Sequence, residues 1–130
     1  MAFKANNQLV EYNDLNRIEI RKIPQSNPND KWMYNLEAST QVDYLSMCIY
    51  SFNDVKNGNY YIKSNGTYEA TEGKINAIFY GGTLNDFSSV SIVKVDNGYA
   101  TGTFNGSLTN TFGLTILITD GVFKNVKILQ

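Results

Sequence analysis

Apolar and polar residues alternate with a period of two along several parts of the chain. In residues 17–23, RIEIRKI, Ile18 and Ile20 fall on one face and the charged residues on the other. The same alternation runs through residues 99–110, YATGTFNGSLTN. A period of two is typical of β-strands, and the sequence has no window with the 3.6-residue apolar stripe of a capped helix. The pattern therefore predicts an all-β protein.

Asn-Gly and Asp-Gly pairs separate the short apolar stretches, and such pairs tolerate the positive φ that two-residue hairpin turns require. Their spacing predicts an antiparallel β-sandwich or barrel of about ten hairpin-connected strands, in a single all-β domain of residues 1–130. The residues predicted to form strands are 3–5, 8–12, 17–23, 32–39, 44–52, 59–63, 74–81, 89–96, 99–110, 114–119 and 122–129.

Two of these pairs organise the last third of the chain. We predict that residues 97–98 (Asn-Gly) and 120–121 (Asp-Gly) each turn a hairpin, and that residues 110–113 bend the chain between them. The result is a four-strand meander over residues 89–129, with each strand pairing antiparallel to the next.

Glycines and charges predict two local features. Gly102 and Gly106 flank Phe104 on the apolar face of one strand, where a missing side chain lets a cross-strand aromatic ring lie over the backbone or lets the strand kink. Replacing Gly102 with valine should therefore cost stability. The alternating charges of residues 17–22 are typical of an edge strand that is protected against pairing with other molecules.

Composition excludes several classes of partner. A chain of 130 residues is long enough to form one core without staples. Its net charge of −1 gives no basic surface for nucleic acid. The longest apolar runs are far shorter than the ~20 residues that a membrane-spanning helix needs. The single cysteine, Cys48, cannot form an intrachain disulfide, and its apolar neighbours predict a small buried side chain.

Catalytic and metal sites are also restricted. Because the chain has no histidine, it cannot form a Ser-His-Asp or Cys-His site or a zinc site with imidazole ligands. An enzyme with paired carboxylates is a third-ranked hypothesis, since most of the acids flank turns. Asp54, Asn57 and Asn59 offer oxygen ligands for calcium, but their register breaks the calcium-loop motif. We therefore predict no enzyme activity, no metal and no cofactor.

Aromatic side chains are the main candidates for binding. Adjacent Tyr60 and Tyr61 must point to opposite faces of a strand, so one of them should be exposed. Exposed aromatics next to Asn and Asp are typical of carbohydrate- and protein-binding surfaces, whereas the alternative is that they pack on a half-buried sheet. The candidate binding residues are Trp32, Tyr34, Tyr60, Tyr61 and Tyr68.

The two ends of the chain resemble a known group of proteins. GYATGTFNGSLTN and LTILITDGVFKNVKI near the end, and FKANNQLVEY at the start, are similar to small uncharacterised β-domains of bacteria, mostly secreted lipoproteins. The second Asn of the opening stretch stands where those domains usually have Gly. The resemblance implies a cell-envelope or extracellular location, with the signal sequence and lipidated cysteine absent from this chain. It implies no catalytic residues.

These observations lead to two functional hypotheses. The first is a non-enzymatic envelope or cell-surface module that binds a glycan or an envelope protein through loops or an exposed sheet face. The alternative is a barrel-type carrier of a small apolar ligand, with Phe79, Phe104 and Phe112 lining its pocket. The sequence leaves the oligomeric state open.

Overall fold

The computed structural model describes residues 1–13, 17–23, 32–40, 43–51, 56–63, 66–70, 77–80, 87–109 and 113–129. These ranges contain eleven β-strands and no helix, so the prediction of an all-β fold is confirmed. The strands are β1 (Ala2–Ala5), β2 (Gln8–Glu11), β3 (Arg17–Ile23), β4 (Trp32–Ser39), β5 (Asp43–Ser51), β6 (Gly58–Lys63), β7 (Gly66–Ala70), β8 (Ala77–Tyr80), β9 (Phe87–Asp96), β10 (Tyr99–Thr109) and β11 (Thr115–Leu129).

Most strands lie close to their predicted bounds, and β3 and β4 match them residue for residue. β7 has no counterpart among the predicted strands. Its sequence, GTYEA, contains one aromatic residue and no aliphatic residue larger than alanine, so it shows no clear apolar alternation.

The strands form one mixed sheet that folds into two packed layers. One layer has the order β3–β4–β5–β7–β8 and the other β2–β1–β11–β10–β9–β6. β11 joins the layers at one side by pairing in parallel with β3, which departs from the predicted all-antiparallel pairing. At the other side, the described residues link β10 to β8 through a single pair, Thr109 with Tyr80. The sheet is therefore not closed, and the fold is sandwich-like.

The predicted hairpin at residues 120–121 is wrong, because β11 runs through this point as one strand of 15 residues. A tight hairpin turn of type I′ needs two consecutive residues with positive φ. Asn97 (φ 50°) and Gly98 (φ 80°) meet this requirement and join β9 to β10, as predicted. At the later pair only Asp120 has a positive φ, 53°, so the strand gains one residue and continues. The meander therefore has three strands instead of four.

Two bulges decide which side chains of β11 face the core. Opposite Asn105 and again opposite Thr101, β11 has two residues where β10 has one. The extra residues coincide with the positive φ of Asp120 and of Asn125 (51°), and each bulge shifts the alternation by one residue. The buried residues of β11 are Ile116, Ile118, Gly121, Phe123 and Val126, while Leu117, Val122, Lys124 and Lys127 face solvent.

Two Phe-Gly pairs hold β10 against β11 inside the core. Gly102 pairs with Phe123, and Phe104 pairs with Gly121. A Cβ atom added at Gly102 would lie 2.8 Å from Phe123 Cζ, and one added at Gly121 would lie 2.6 Å from Phe104 Cδ2. The Phe123 ring therefore covers the backbone of Gly102, as predicted, and the Phe104 ring covers Gly121 in the same way. Gly106, for which the same was expected, lies against Met47 Cε and the Phe87 carbonyl oxygen instead. The five positions predicted to be apolar-facing are all buried: Ala100, Gly102, Phe104, Gly106 and Leu108.

β3 is not an edge strand, which corrects the expectation drawn from its alternating charges. It pairs with β4 along its whole length and with β11 through Glu19–Arg21. Because both edges of β3 have strand partners, its charges do not protect a free edge. They meet charges of β4 on the outer face of the sheet instead.

Candidate functional site

A groove of about 570 Å³ crosses the outer face of the layer that contains β1, β11, β10 and β9. Its surface is mainly apolar, and its volume lies in the range of ~300–1,000 Å³ that is typical of ligand sites. The groove is lined by Met1, Ala2, Glu11, Tyr12, Asn13, Val93, Thr101, Gly102, Thr103, Val122, Phe123 and Lys124.

The groove lies where β11 changes its neighbour along one edge. Pairing with β1 ends at Ala2 and Val122, and pairing with β3 begins at Glu19 and Lys127. Along this edge, residues 123–126 have no described strand beside them. On the opposite edge, the Asn125 backbone N–H donates a hydrogen bond to Thr101 Oγ1 at 3.0 Å. Part of this stretch of β11 borders the groove, because Phe123 and Lys124 are among its lining residues together with Ala2 and Val122.

Two exposed valines form the apolar part of the groove surface. Val93 is 63% exposed and Val122 is 49% exposed. Val93 lies in a bulge of β9, because the pairing passes from Thr101 and Lys94 directly to Gly102 and Ile92. The sequence contained a signal for both valines. Each belongs to an apolar pair within a strand, and such a pair must place one side chain on each face.

A smaller hollow of about 240 Å³ adjoins the groove and shares Met1 and Lys124 with it. No carboxylate is among its lining residues, and neither lysine forms an ion pair with a described residue. The hollow therefore offers cationic and hydrogen-bonding groups at one end of an apolar groove. Its remaining lining residues are Ile18, Tyr99, Asn125, Val126 and Lys127.

The structure describes the side chains of two of the five predicted binding aromatics, Tyr34 and Tyr60. Tyr34 is 0% exposed in the core, because β4 turns this residue inward together with its alternate neighbours, so its prediction as a surface binding residue is wrong. Tyr60 is half-buried in β6, which belongs to the same layer as the groove. Its hydroxyl donates a hydrogen bond to the Lys56 carbonyl oxygen at 3.0 Å. Trp32 and Tyr61 lie in β4 and β6, but their side chains are outside the described part of the structure.

Tyr68 belongs to β7 and its backbone pairs with Leu45, while its side chain also falls outside the described part. The roles proposed for Trp32, Tyr61 and Tyr68 stay predictions. Of the two predicted aromatics whose side chains are described, neither Tyr34 nor Tyr60 is among the residues that line the groove or the hollow. Cys48 lies in β5, and its side chain is likewise not described.

The aromatics assigned to a carrier pocket have a different arrangement. Phe104 packs in the core against Phe3 and Phe123, with ring centroids 5.7 and 6.3 Å apart. It lines neither of the two concavities formed by described residues. The side chain of Phe79 and the whole of Phe112 lie outside the described residues.

Of the three calcium ligands proposed from the sequence, the structure describes Asn57 and Asn59. Asn59 Oδ1 accepts a hydrogen bond from Ser91 Oγ at 2.6 Å, and Asn57 is exposed. Asp54 lies outside the described residues. Within the ranges that the structure describes, no group of three His, Cys, Asp or Glu residues could hold a metal ion.

A cluster of four charges lies on the outer face of β3 and β4. Glu19 and Glu37 are directly opposite each other in the register. Arg17 bridges them, with Nη2 2.6 Å from Glu37 Oε2 and Nε 3.3 Å from Glu19 Oε1, and Arg21 contacts both acids from the other side. The hydrogen bond and the charge of Glu19 raise the pKa of Arg21. Because each acid contacts two guanidinium groups, the positive charges of the arginines compensate the negative charges of the two carboxylates.

Tyr44 adjoins this cluster. Its hydroxyl donates to Glu37 Oε1 at 3.4 Å, and burial raises the pKa of Tyr44, with the Glu37 charge adding to the effect. Glu37 is only 6% exposed, because the long side chains around it cover the carboxylate. The cluster is a tightly packed structural feature with no free acid or base at its centre.

No protein-family model, curated protein or solved structure matches the chain. The resemblance to bacterial envelope β-domains therefore stays a prediction. Among the described residues there is no helix with the length and hydropathy needed to cross a membrane.

Proposed function

We propose that the protein is a non-catalytic binding module, and that it holds an apolar segment of a partner protein in the groove on its outer sheet face. The observation that carries this proposal is the exposure of Val93 and Val122 within one concavity of about 570 Å³. Apolar side chains that are exposed together in a concave surface favour association, because binding removes their area from water.

The lining residues favour a protein partner over a glycan. The aromatic residues of the groove, Tyr12 and Phe123, are only 3% and 2% exposed. A sugar ring would therefore find no open aromatic face on which to stack. The exposed lining combines aliphatic with polar side chains, a mixture that suits an extended peptide with apolar side chains. The exposed lining residues are Glu11, Asn13, Val93, Thr103, Val122 and Lys124.

The groove is also too open for the alternative function, transport of a small apolar ligand. Sites for small molecules bury about 70–90% of the ligand surface. Here the lining valines are themselves half exposed or more, so a bound small molecule would stay largely in water. A segment of a larger partner avoids this cost, because the partner covers the outer side of the segment.

The charges near the groove support a function without catalysis. Its lining contains one carboxylate, from Glu11, and one ammonium group, from Lys124. The paired acids, Glu19 and Glu37, are each neutralised by two arginines. By resemblance to bacterial envelope β-domains, we further propose that the module works in the cell envelope or outside the cell.

Selection from a library of displayed random peptides tests the groove directly. The key variant is Val122→Glu, which places a charge in the apolar groove. The matched control is Leu117→Glu, because Leu117 is 51% exposed on the same face of the same strand but does not line the groove. Both variants should remain folded, since both positions are at the surface.

We expect peptides enriched on the native protein to contain apolar side chains, to lose binding to Val122→Glu and to keep binding to Leu117→Glu. Enriched peptides that bind Val122→Glu as well as the native protein would overturn the proposal. So would a selection that enriches no peptide.

A further inference from the structure

We infer that the partner segment is acidic as well as apolar, and that it places a carboxylate side chain in the hollow beside Lys124 and Lys127 while an apolar side chain occupies the groove. This inference rests on the proposed function of the groove. It adds the charge of the segment and the spacing of its side chains.

The bulge at Asn125 creates the cationic surface. In an unbroken strand, Lys124 and Lys127 are three residues apart and would point to opposite faces. The extra residue at Asn125, with a φ of 51°, shifts the alternation, so both lysines are exposed on the outer face. Phe123 and Val126, which precede them, are both buried. One inserted residue therefore brings two positive charges together.

The groups around the two lysines complement a carboxylate. Tyr99 is directly opposite Lys127 in the register and is 44% exposed, so its hydroxyl is available as a further donor. The Asn125 side chain is exposed in the same hollow and carries an amide donor. Tyrosine, asparagine and lysine together provide several N–H and O–H groups, and a carboxylate accepts strong, charge-assisted hydrogen bonds from a lysine ammonium.

The acid opposite Lys127 in the register does not line the hollow. Glu19 is opposite Lys127 in the parallel pairing of β3 with β11. Its Oε1 atom is held by Arg17 and Arg21, and Glu19 is not among the residues that line the hollow. Neither lysine forms an ion pair with a described residue, and no carboxylate is among the residues that line the hollow.

The spacing of the two concavities matches an extended peptide. Val122 lines the groove, and Lys124 lines both the groove and the hollow. These residues are two apart on one face of a strand, a separation of roughly 7 Å. Alternate side chains of an extended peptide have the same separation. For a segment that runs in the same direction as β11, the expected motif is an apolar residue followed two positions later by Asp or Glu.

Three synthetic hexapeptides test the motif. Each is acetylated, amidated and built on the pattern Ser-Leu-Thr-Xaa-Thr-Xaa, where Xaa is Glu, Gln or Lys. Binding is measured by chemical-shift changes of the ¹⁵N-labelled protein, in low salt and in salt high enough to screen exposed charges. Two exposed ion pairs predict that the Glu peptide binds roughly tenfold more tightly than the Gln peptide in low salt. The Lys peptide should bind most weakly.

The double substitution Lys124→Gln and Lys127→Gln should abolish the preference for Glu, so that the Glu and Gln peptides bind this variant with equal affinity. Lys94→Gln is the matched control, because Lys94 is an exposed lysine of β9 that lines neither concavity. The preference should also disappear in high salt.

Several results would overturn the inference. Equal binding of the Glu and Gln peptides, both lost in Val122→Glu, would refute the acidic motif and leave the proposed function intact. A Glu preference that survives the double substitution would place the charge contact elsewhere. Inorganic phosphate or vesicles of anionic lipid that displace the Glu peptide from the lysines and bind more tightly would show that the hollow serves a phosphate or membrane ligand. Failure of all three peptides to bind would also refute the inference, whereas the library selection decides the proposed function.

Discussion

Gly102 is the position where a side chain meets the strongest steric conflict. A Cβ atom there would lie 2.0 Å from the backbone oxygen of Ser91 and 2.8 Å from Phe123 Cζ, whereas ordinary contacts begin near 3.4 Å. The nearer obstacle is backbone of β9, which cannot rotate away as a side chain can. Gly102→Val therefore forces β9 and β10 to separate by more than an ångström at this point, and it also displaces the Phe123 ring.

The size of the effect follows from this geometry. Adding groups to a packed core typically costs about 1–3 kcal/mol, and the conflict with both backbone and ring puts Gly102→Val at about 3 kcal/mol. A domain of this kind has a free energy of unfolding of roughly 5–15 kcal/mol, so the loss is a large fraction of the total. At roughly 3–5 °C per kcal/mol, the melting temperature should fall by about 10 °C.

Urea unfolding followed by far-ultraviolet circular dichroism measures this change. The matched control is Thr103→Val, because Thr103 is the next residue of β10 and its side chain is exposed on the opposite face. The control should unfold within about 0.5 kcal/mol of the native protein. A Gly102→Val protein that also unfolds within about 0.5 kcal/mol of the native protein would refute the packing of the Phe123 ring over Gly102.

Three further predictions concern the bulge and the charged cluster. Asn125→Val should lower the free energy of unfolding by about 1–2 kcal/mol, because a β-branched residue is strained at positive φ, whereas Lys127→Val should not; equal effects in urea unfolding would contradict this. Glu37→Gln should cost about 1 kcal/mol in low salt and less in ~1 M NaCl, and a loss that is independent of salt would argue against an electrostatic origin. Burial raises the pKa of Tyr44 above its value of ~10 in the unfolded chain, so its contribution to stability is present below pH ~10 and is lost as the pH rises through the folded-state pKa. Tyr44→Phe should therefore reduce the fall in the urea midpoint between pH ~9 and ~11, and an unchanged fall would refute the assignment.

The sequence predicts the strands well where one face is buried and the other is solvated. In β10 the inward positions from Ala100 to Leu108 follow strict alternation, and each is buried. The same holds for Tyr34, whose inward face is apparent from its alternate neighbours Leu36 and Ala38. The alternation predicts that Tyr34 is buried, whereas the prediction of a binding role depended only on its aromatic ring.

The partners of each strand are harder to predict, because pairing depends on contacts between distant parts of the chain. β6 pairs with β9 and β11 pairs in parallel with β3, although neither pair is adjacent in sequence. The alternating charges of β3 are compatible with an edge strand or with a strand beside an oppositely charged neighbour. Only the pairing of β3 with β11 on one side and with β4 on the other distinguishes the two cases.

The candidate site depends on a distinction that a dipeptide does not encode. Asn-Gly at 97–98 and Asp-Gly at 120–121 carry the same turn signal, yet the first reverses the chain and the second adds one residue to a strand. The difference lies in the second residue: Gly98 has a φ of 80°, whereas Gly121 is held in the strand beneath the Phe104 ring. Cross-strand packing therefore selects the bulge over the turn.

The bulge at Asn125 also determines which side chains lie on the outer face of β11. With strict alternation, Lys124 and Lys127 would lie on opposite faces, and no cationic hollow would exist beside Val122. The bulge at Asn125 places them together, and it also lies where β11 changes its neighbour along one edge. The bulge thus has two effects. On the inner face it keeps the core residues in register, and on the outer face it brings the two lysines next to the apolar groove. Because one inserted residue has both effects, the site is a product of how β10 and β11 pack and not of any local motif.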